Sequence, residues 1–115
     1  MNRPQRNNNP LDLKFMHQTE STGPDKDGFA IFPTAMAGFR GGMNQIELDQ
    51  NRGKTIETFI YGFAPPGENR TETYLKFIET TGRVKRTDLL ISISKYALVG
   101  IMAQFEGFFN KEETP

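Results

Sequence analysis

The chain holds few kinds of side chain able to move a proton or attack a bond: its 115 residues include no cysteine, one histidine at position 17, and fourteen acidic and fourteen basic groups. That inventory excludes thiol catalysis, disulfide frameworks, thiolate zinc sites and any site needing two imidazoles. Chemistry must rest on carboxylates, hydroxyls, amides or lysine. Glu106 stands out among them, at the C-terminal end of the most apolar stretch and followed by Gly107 and Phe108-Phe109. The negative end of a helix dipole and apolar walls both disfavour a charged carboxylate, so a raised pKa is expected there. A carboxyl kept protonated near neutral pH suits general-acid cleavage of a glycosidic bond. The same placement also fits a glutamate that caps the exit of a buried helix into solvent.

Other polar groups carry weaker signals. Asn7-Asn8-Asn9-Pro10 could present side-chain amides to the hydroxyl and N-acetyl groups of a sugar, or form a polar turn. Pro65-Pro66-Gly67-Glu68-Asn69 reads equally as a helix–helix turn with a cap, and Tyr74, one turn into the next helix, as a groove or a core residue. His17 is isolated and suits an exposed edge. Glu20, Asp25 and Asp27 lack the oxygen spacing of a calcium loop. With basic and acidic groups in balance, no net field draws the chain to nucleic acid or an anionic membrane, and neither is an expected partner.

These residues need elements to position them. Residues 1–10 are polar and Asn-rich, so no secretory signal is expected, and 89–105 is interrupted by Ser92, Ser94, Lys95 and Gln104, short of the roughly 20 apolar residues of a membrane span. Flexible ends are expected at 1–6 and 110–115, with one domain over 7–109 and a core filled by the ten phenylalanines. Two short strands, 11–15 and 29–32, flank a mobile turn-rich loop at 22–28. Phe32, Met36, Phe39, Met43 and Ile46 then fall on one helical stripe behind a Thr34 cap, with Gly38, Gly41 and Gly42 available for close backbone approach. A helix over 55–63 presents Ile56, Phe59, Ile60 and Phe63 on one face. Another over 71–81, capped by Asn69 and stopped by Gly82, turns Tyr74, Leu75 and Ile78 inward. The last helix, 90–105, is apolar nearly all round and is expected at the centre of the domain. The fold class predicted is α+β, mostly helical, with a small hairpin near the N-terminus.

Taken in order, RNNNPLDL at 6–13, GFAIFPTAMAGFRGG at 28–42, FAPPGENRTETYLKFI at 63–78 and a closing FEG at 105–107 resemble a bacteriophage family of small lysozyme-like virion proteins, related to lytic transglycosylases and glucosaminidases. That family shows N-N-P-G-N-I, then G-F-A-V-F-x-[ST], then W-A-P-P-x-E-N-D-T-x-x-Y, and ends its last helix in H-E-N-G. The resemblance spans about 6–107, and its middle motif is the most specific part. It implies a lysozyme-like domain whose glutamate-bearing helix comes last instead of first, as in a circular permutation, so that the chain ends would meet and bring Glu106 beside Asn8-Asn9-Pro10.

The resemblance further implies cleavage of the N-acetylmuramic acid to N-acetylglucosamine β-1,4 bond of peptidoglycan, with Glu106 catalytic. Asn8, Asn9, Asp12, Glu68, Asn69 and Tyr74 would be substrate-binding, and no metal or organic cofactor is implied. A hydrolytic version would need a second carboxylate, about 5–5.5 Å from the acid if retaining and 6.5–9.5 Å if inverting, with Asp12 nearest by position. The implied location is the virion, after synthesis in the host cytoplasm, with glycan strands and other virion proteins as partners. A non-catalytic virion accessory protein that keeps the fold is the alternative, and a regulator that binds a host protein through a Phe-rich surface is a third reading. The chain departs from the family at Leu11-Asp12 (Gly-Asn), Phe63 (Trp), Phe105 (His) and Gly107 (Asn). Phe105 makes the surroundings of Glu106 more apolar, and the missing amides remove sugar-binding groups.

Overall fold

Helical spacing organises most of the chain. A computed structural model describes residues 1–63 and 69–111, and among these it has helices α1 (Arg3–Arg6), α2 (Ala35–Asn51), α3 (Ile56–Phe63), α4 (Asn69–Gly82) and α5 (Lys95–Phe105), with strands β1 (Gly23–Pro24) and β2 (Ala30–Ile31). The architecture is mostly helical α+β with one small antiparallel sheet. No helix among the described residues is long and apolar enough to cross a membrane.

Helix α2 starts where expected, the Thr34 hydroxyl accepting the Ala37 N–H at 3.1 Å. Its inward face is rotated from the expected stripe: Met36 is 65% exposed, Phe39 and Met43 are half-buried, and Ala37, Gly38, Gly41, Gly42, Ile46 and Asp49 are buried. The neighbours explain the rotation. A Cβ on Gly38 would lie 1.8 Å from the Asn8 carbonyl oxygen, one on Gly41 2.7 Å from the Phe32 ring, and one on Gly42 3.0 Å from Leu11. The glycines are the seam of closest approach, and bulky side chains are displaced to its edges.

Helix α3 is capped by Thr55, whose hydroxyl accepts the Thr58 N–H, and it buries Ile56, Phe59 and Ile60. Helix α4 buries Tyr74, Leu75 and Ile78 as expected. Its left-handed terminator is Arg83 (φ 54°) and not Gly82, which instead packs against Ile93 and Ile101.

The expected helix over 90–105 is broken. Leu90–Ser92 form one 3-10 turn, Ile93 is extended, and Ser94 caps α5 by accepting the Tyr96 N–H at 3.2 Å. The break is stable because the Gln50 side chain donates to the Leu90 and Ile93 carbonyls at 3.3 and 2.9 Å, replacing the bonds a continuous helix would supply. Helix α5 packs on α2 and α4 through Leu98, Val99, Met102 and Ala103, while Tyr96 and Ala97 face solvent. It is therefore a flank of the core and not a fully enclosed axis.

The hairpin also differs from expectation. Segment 11–15 meets β2 through one bridge, Lys14 to Phe29, and through the Ala30 N–H to the Leu13 carbonyl. The paired strand is β1, from inside the loop expected to be mobile, in the register Gly23 to Ile31 and Pro24 to Ala30. Asp25 holds that loop: its Oδ1 accepts the Asp27 and Phe29 N–H groups, both at 2.9 Å, and its Oδ2 accepts from the Asn7 amide at 2.8 Å.

The N-terminal segment is not a free arm. Asn2 and Gln5 form a capping box around α1. Asn2 Nδ2 donates to the Gly107 carbonyl at 2.8 Å, and Gln5 Nε2 donates to those of Phe108 and Asn110 at 3.2 and 2.7 Å. Residues 2–5 thus meet residues 107–110. Of the acidic tail, 112–115 lie outside the described residues.

Candidate active site

Glu106 is the C-terminal cap of α5. Gly107, at φ +84°, turns the chain away, and the Gly107 and Phe108 N–H groups close the last carbonyls of the helix by bonding to Gln104 and Ala103. This turn directs the carboxylate inward, where the side chain is only 3% exposed and Oε1 accepts from Arg70 Nη2 at 2.6 Å. Oε2 is buried with no hydrogen-bond partner, and so is the Tyr74 hydroxyl.

The Tyr74 ring is stacked on Phe105 with centroids 4.0 Å apart and is met edge-on by Phe63 at 6.1 Å. Burial pushes the Glu106 carboxyl above its ordinary value. Arg70 opposes that shift most strongly, the nearby Tyr74 hydroxyl opposes it less, and the charge of Asp12 adds to it. Tyr74 is near enough for this influence, yet no well-formed hydrogen bond joins it to Glu106. The tyrosine itself is pushed well above its ordinary value, by burial first and by the Glu106 charge second. It therefore remains a protonated potential donor beside the acid.

Glu106 and Arg70 open onto a cleft of about 640 Å³, within the size range of ligand sites. Asp12 also borders it, in the left-handed conformation (φ 54°), and is held by Arg3 through Nε at 2.9 Å and Nη2 at 2.6 Å. The Arg3 guanidinium in turn lies 3.4 Å from the centroid of the Phe29 ring. Asp49 supplies a third carboxylate, bonded by Lys54 at 2.8 Å, Arg52 at 3.1 Å and Gln45 at 2.8 Å. Burial alone would raise the Asp49 carboxyl, but these three partners outweigh it and hold it below the usual carboxylate range. One cleft thus contains an acid pushed toward its neutral form and another held charged, the division of labour that acid–base chemistry uses.

The structure separates the expected site residues. Asp12 and Glu106, near opposite ends of the chain, line the same cleft. Tyr74 lies fully buried behind Glu106 and does not line it. Asn9 is corrected to a scaffold residue: it is fully buried, Nδ2 donates to the Leu13 and Ala30 carbonyls at 3.0 and 2.9 Å, and Oδ1 accepts the Leu13 N–H at 3.0 Å. The Asn8 amide donates to the Phe32 carbonyl and its own carbonyl faces Gly38. Neither amide lines the cleft. Glu68 and the side chain of Asn69 lie outside the described residues. His17 is exposed beside Phe15, as expected.

Arg70, Asp49, Lys54 and Arg3 were not singled out from sequence. Asp49 carried a usable signal, because it follows Ile46 by three residues and so lies on the buried face of α2. Arg70 sits inside the most specific motif of the chain, but its partner is 36 positions away. No known protein-family model matches the chain, and no curated protein matches it.

Proposed function

We propose that this is a lysozyme-like, peptidoglycan-cleaving protein of a bacteriophage particle, acting as a lytic transglycosylase on the N-acetylmuramic acid to N-acetylglucosamine β-1,4 bond. The observation that carries the reading is Glu106: a carboxyl only 3% exposed, raised by burial and bordering an open cleft. Glu106 protonates the bridging oxygen as the bond from C1 breaks. The resulting carboxylate takes the proton of the C6 hydroxyl as O6 closes on C1, leaving an anhydro end and consuming no water. Tyr74 stays protonated behind the carboxyl. A hydrolytic outcome would draw instead on Asp12 or Asp49 to place water.

Purified peptidoglycan incubated with the protein and analysed by mass spectrometry tests the reading. Anhydro ends support it, reducing ends replace it with hydrolysis, and no cleavage at any pH between about 4 and 8 removes it. A second reading, a non-catalytic virion component, is favoured by the ion pair between Arg70 and Glu106, because a bound guanidinium stabilises the charged form that cannot act as an acid. That reading expects Glu106→Gln to leave every measurable property except stability unchanged.

A further inference from the structure

The cleft is richer in cations than the chain. Arg3, Lys14, Arg52, Lys54 and Arg70 border it against Asp12, Asp49 and Glu106, although the chain as a whole has a formal net charge of zero. Most of these cations have fixed work. Arg3 clamps Asp12 through two nitrogens, Lys54 and Arg52 neutralise Asp49, and Lys14 lies over the Phe29 ring at 3.9 Å.

Arg70 is the cation that holds the buried acid. Its side chain is 44% exposed and borders the cleft, its partner is buried, and it reaches Glu106 through Nη2. The plane is braced 5.3 Å from the Phe105 centroid and 5.7 Å from that of Tyr74. A guanidinium carries five N–H donors in a rigid fork, so one that meets Oε1 of a carboxylate through Nη2 has the geometry to serve a second acceptor.

The chemistry of Glu106 strengthens the point. Whenever Glu106 carries a proton it no longer neutralises Arg70, and the half-exposed guanidinium is left with an uncompensated charge beside the cleft. An anionic group on the ligand would supply the missing counter-charge at the moment the acid is in its working form.

We propose that Arg70 determines specificity in this cleft by binding a carboxylate carried on a side branch of the glycan, namely a stem-peptide carboxylate of peptidoglycan. The inference rests on the peptidoglycan reading above. Beside the acid, Arg70 reads the substituent that distinguishes a wall strand from an uncharged amino-sugar polymer.

The test compares two soluble ligands by titration calorimetry: a disaccharide–tetrapeptide with free carboxylates and the same molecule with those carboxylates amidated. The wild-type chain should prefer the free-acid form by roughly tenfold, the size of one charge-assisted hydrogen bond. Arg70→Gln should bring that preference to within about twofold, and Arg70→Lys should retain part of it because the charge persists without the fork. Thermal melts of both variants confirm folding. Equal wild-type affinity for the two ligands, or a preference kept by Arg70→Gln, overturns the proposal. If wall cleavage with anhydro ends is seen alongside that result, the peptidoglycan reading stands and only the role of Arg70 falls. If the wild type binds neither ligand, the role of Arg70 falls, and absent wall cleavage then removes the peptidoglycan reading as well.

Discussion

Two helix glycines should respond to the same substitution with opposite signs. A Gly-to-Ala change inside a helix gains up to about 1 kcal/mol in backbone entropy where the added methyl meets nothing. Gly100 is such a site, with no heavy atom within 4 Å of the new Cβ, so Gly100→Ala should raise the melting temperature by roughly 4 °C for a domain of this size. At Gly38 the Cβ would sit 1.8 Å from the Asn8 carbonyl oxygen and 2.8 Å from the Pro10 ring. The obstacle is backbone, so the segment must retreat by more than an ångström.

That segment is tied to β2 and its neighbours by the Phe32 N–H on the Asn7 carbonyl at 2.8 Å and by the Asn8 amide on the Phe32 carbonyl at 3.2 Å. Overpacking of about 1–3 kcal/mol and two weakened hydrogen bonds at about 1 kcal/mol each exceed the gain in helix propensity. Gly38→Ala should therefore lose about 2–4 kcal/mol net, a fall in melting temperature of roughly 8–16 °C. Thermal unfolding followed by far-ultraviolet circular dichroism on the two variants reads both signs. A Gly38→Ala protein that melts at or above the wild type would refute the close approach of α2 to the Asn7–Pro10 turn. It would also remove the support for Asp12 in the cleft, because the Asp12 N–H bonds to the Asn9 carbonyl at 3.0 Å within that turn.

Glu106→Gln should lower the rate of wall cleavage by about 10²–10⁴-fold, the usual share of a general acid, while the protein still melts cooperatively; cleavage within twofold of wild type would exclude Glu106 as the acid. Because burial raises that carboxyl, the folded protein binds its proton more tightly than the unfolded chain. The contribution is fully present below the ordinary value of 4.5 and is lost as pH rises through the raised folded value, so Glu106→Gln should flatten stability against pH above 4.5. Parallel curves for the two proteins would contradict this. Asp49 has the opposite sign: its lowered carboxyl gives stability that is present above the ordinary value of 3.8 and is lost as pH falls through the folded value, and urea titrations of Asp49→Asn should show the protein weakened at neutral pH and converging with wild type in acid. Asn9→Ala removes three bonds from a fully buried amide and should cost about 2–4 kcal/mol by denaturant titration; a loss below about 0.5 kcal/mol, as for a surface site, would return Asn9 to the list of available sugar-binding groups.

Elements decided by near neighbours in the chain were readable from it. Thr34 bonds three residues ahead, α3 and α4 bury the faces their spacing indicates, and the α2 glycines serve the close packing that no other residue permits. Glu106 was readable as well, since its position after an apolar helix and before a glycine is local information. Where sequence reading failed, the deciding partner was distant. The break before α5 depends on Gln50, 40 and 43 positions from the carbonyls it satisfies, and the hairpin depends on Asp25 reaching Asn7. Asn9 looked available because a polar turn exposes amides, and only the convergence of Leu13 and Ala30 around it consumes them.

The sequence by itself determined what kinds of chemistry this protein can hold, by lacking cysteine and a second histidine and by placing one carboxylic acid at an apolar helix end. Tertiary structure alone decided what surrounds that acid: Arg70 bonded to it, Tyr74 beneath it, and Asp12 and Asp49 along the same cleft. The reason is physical. A residue type limits which bonds can form, but a carboxyl pKa reports burial and the charges around it, and those are assembled by chain segments that meet only on folding.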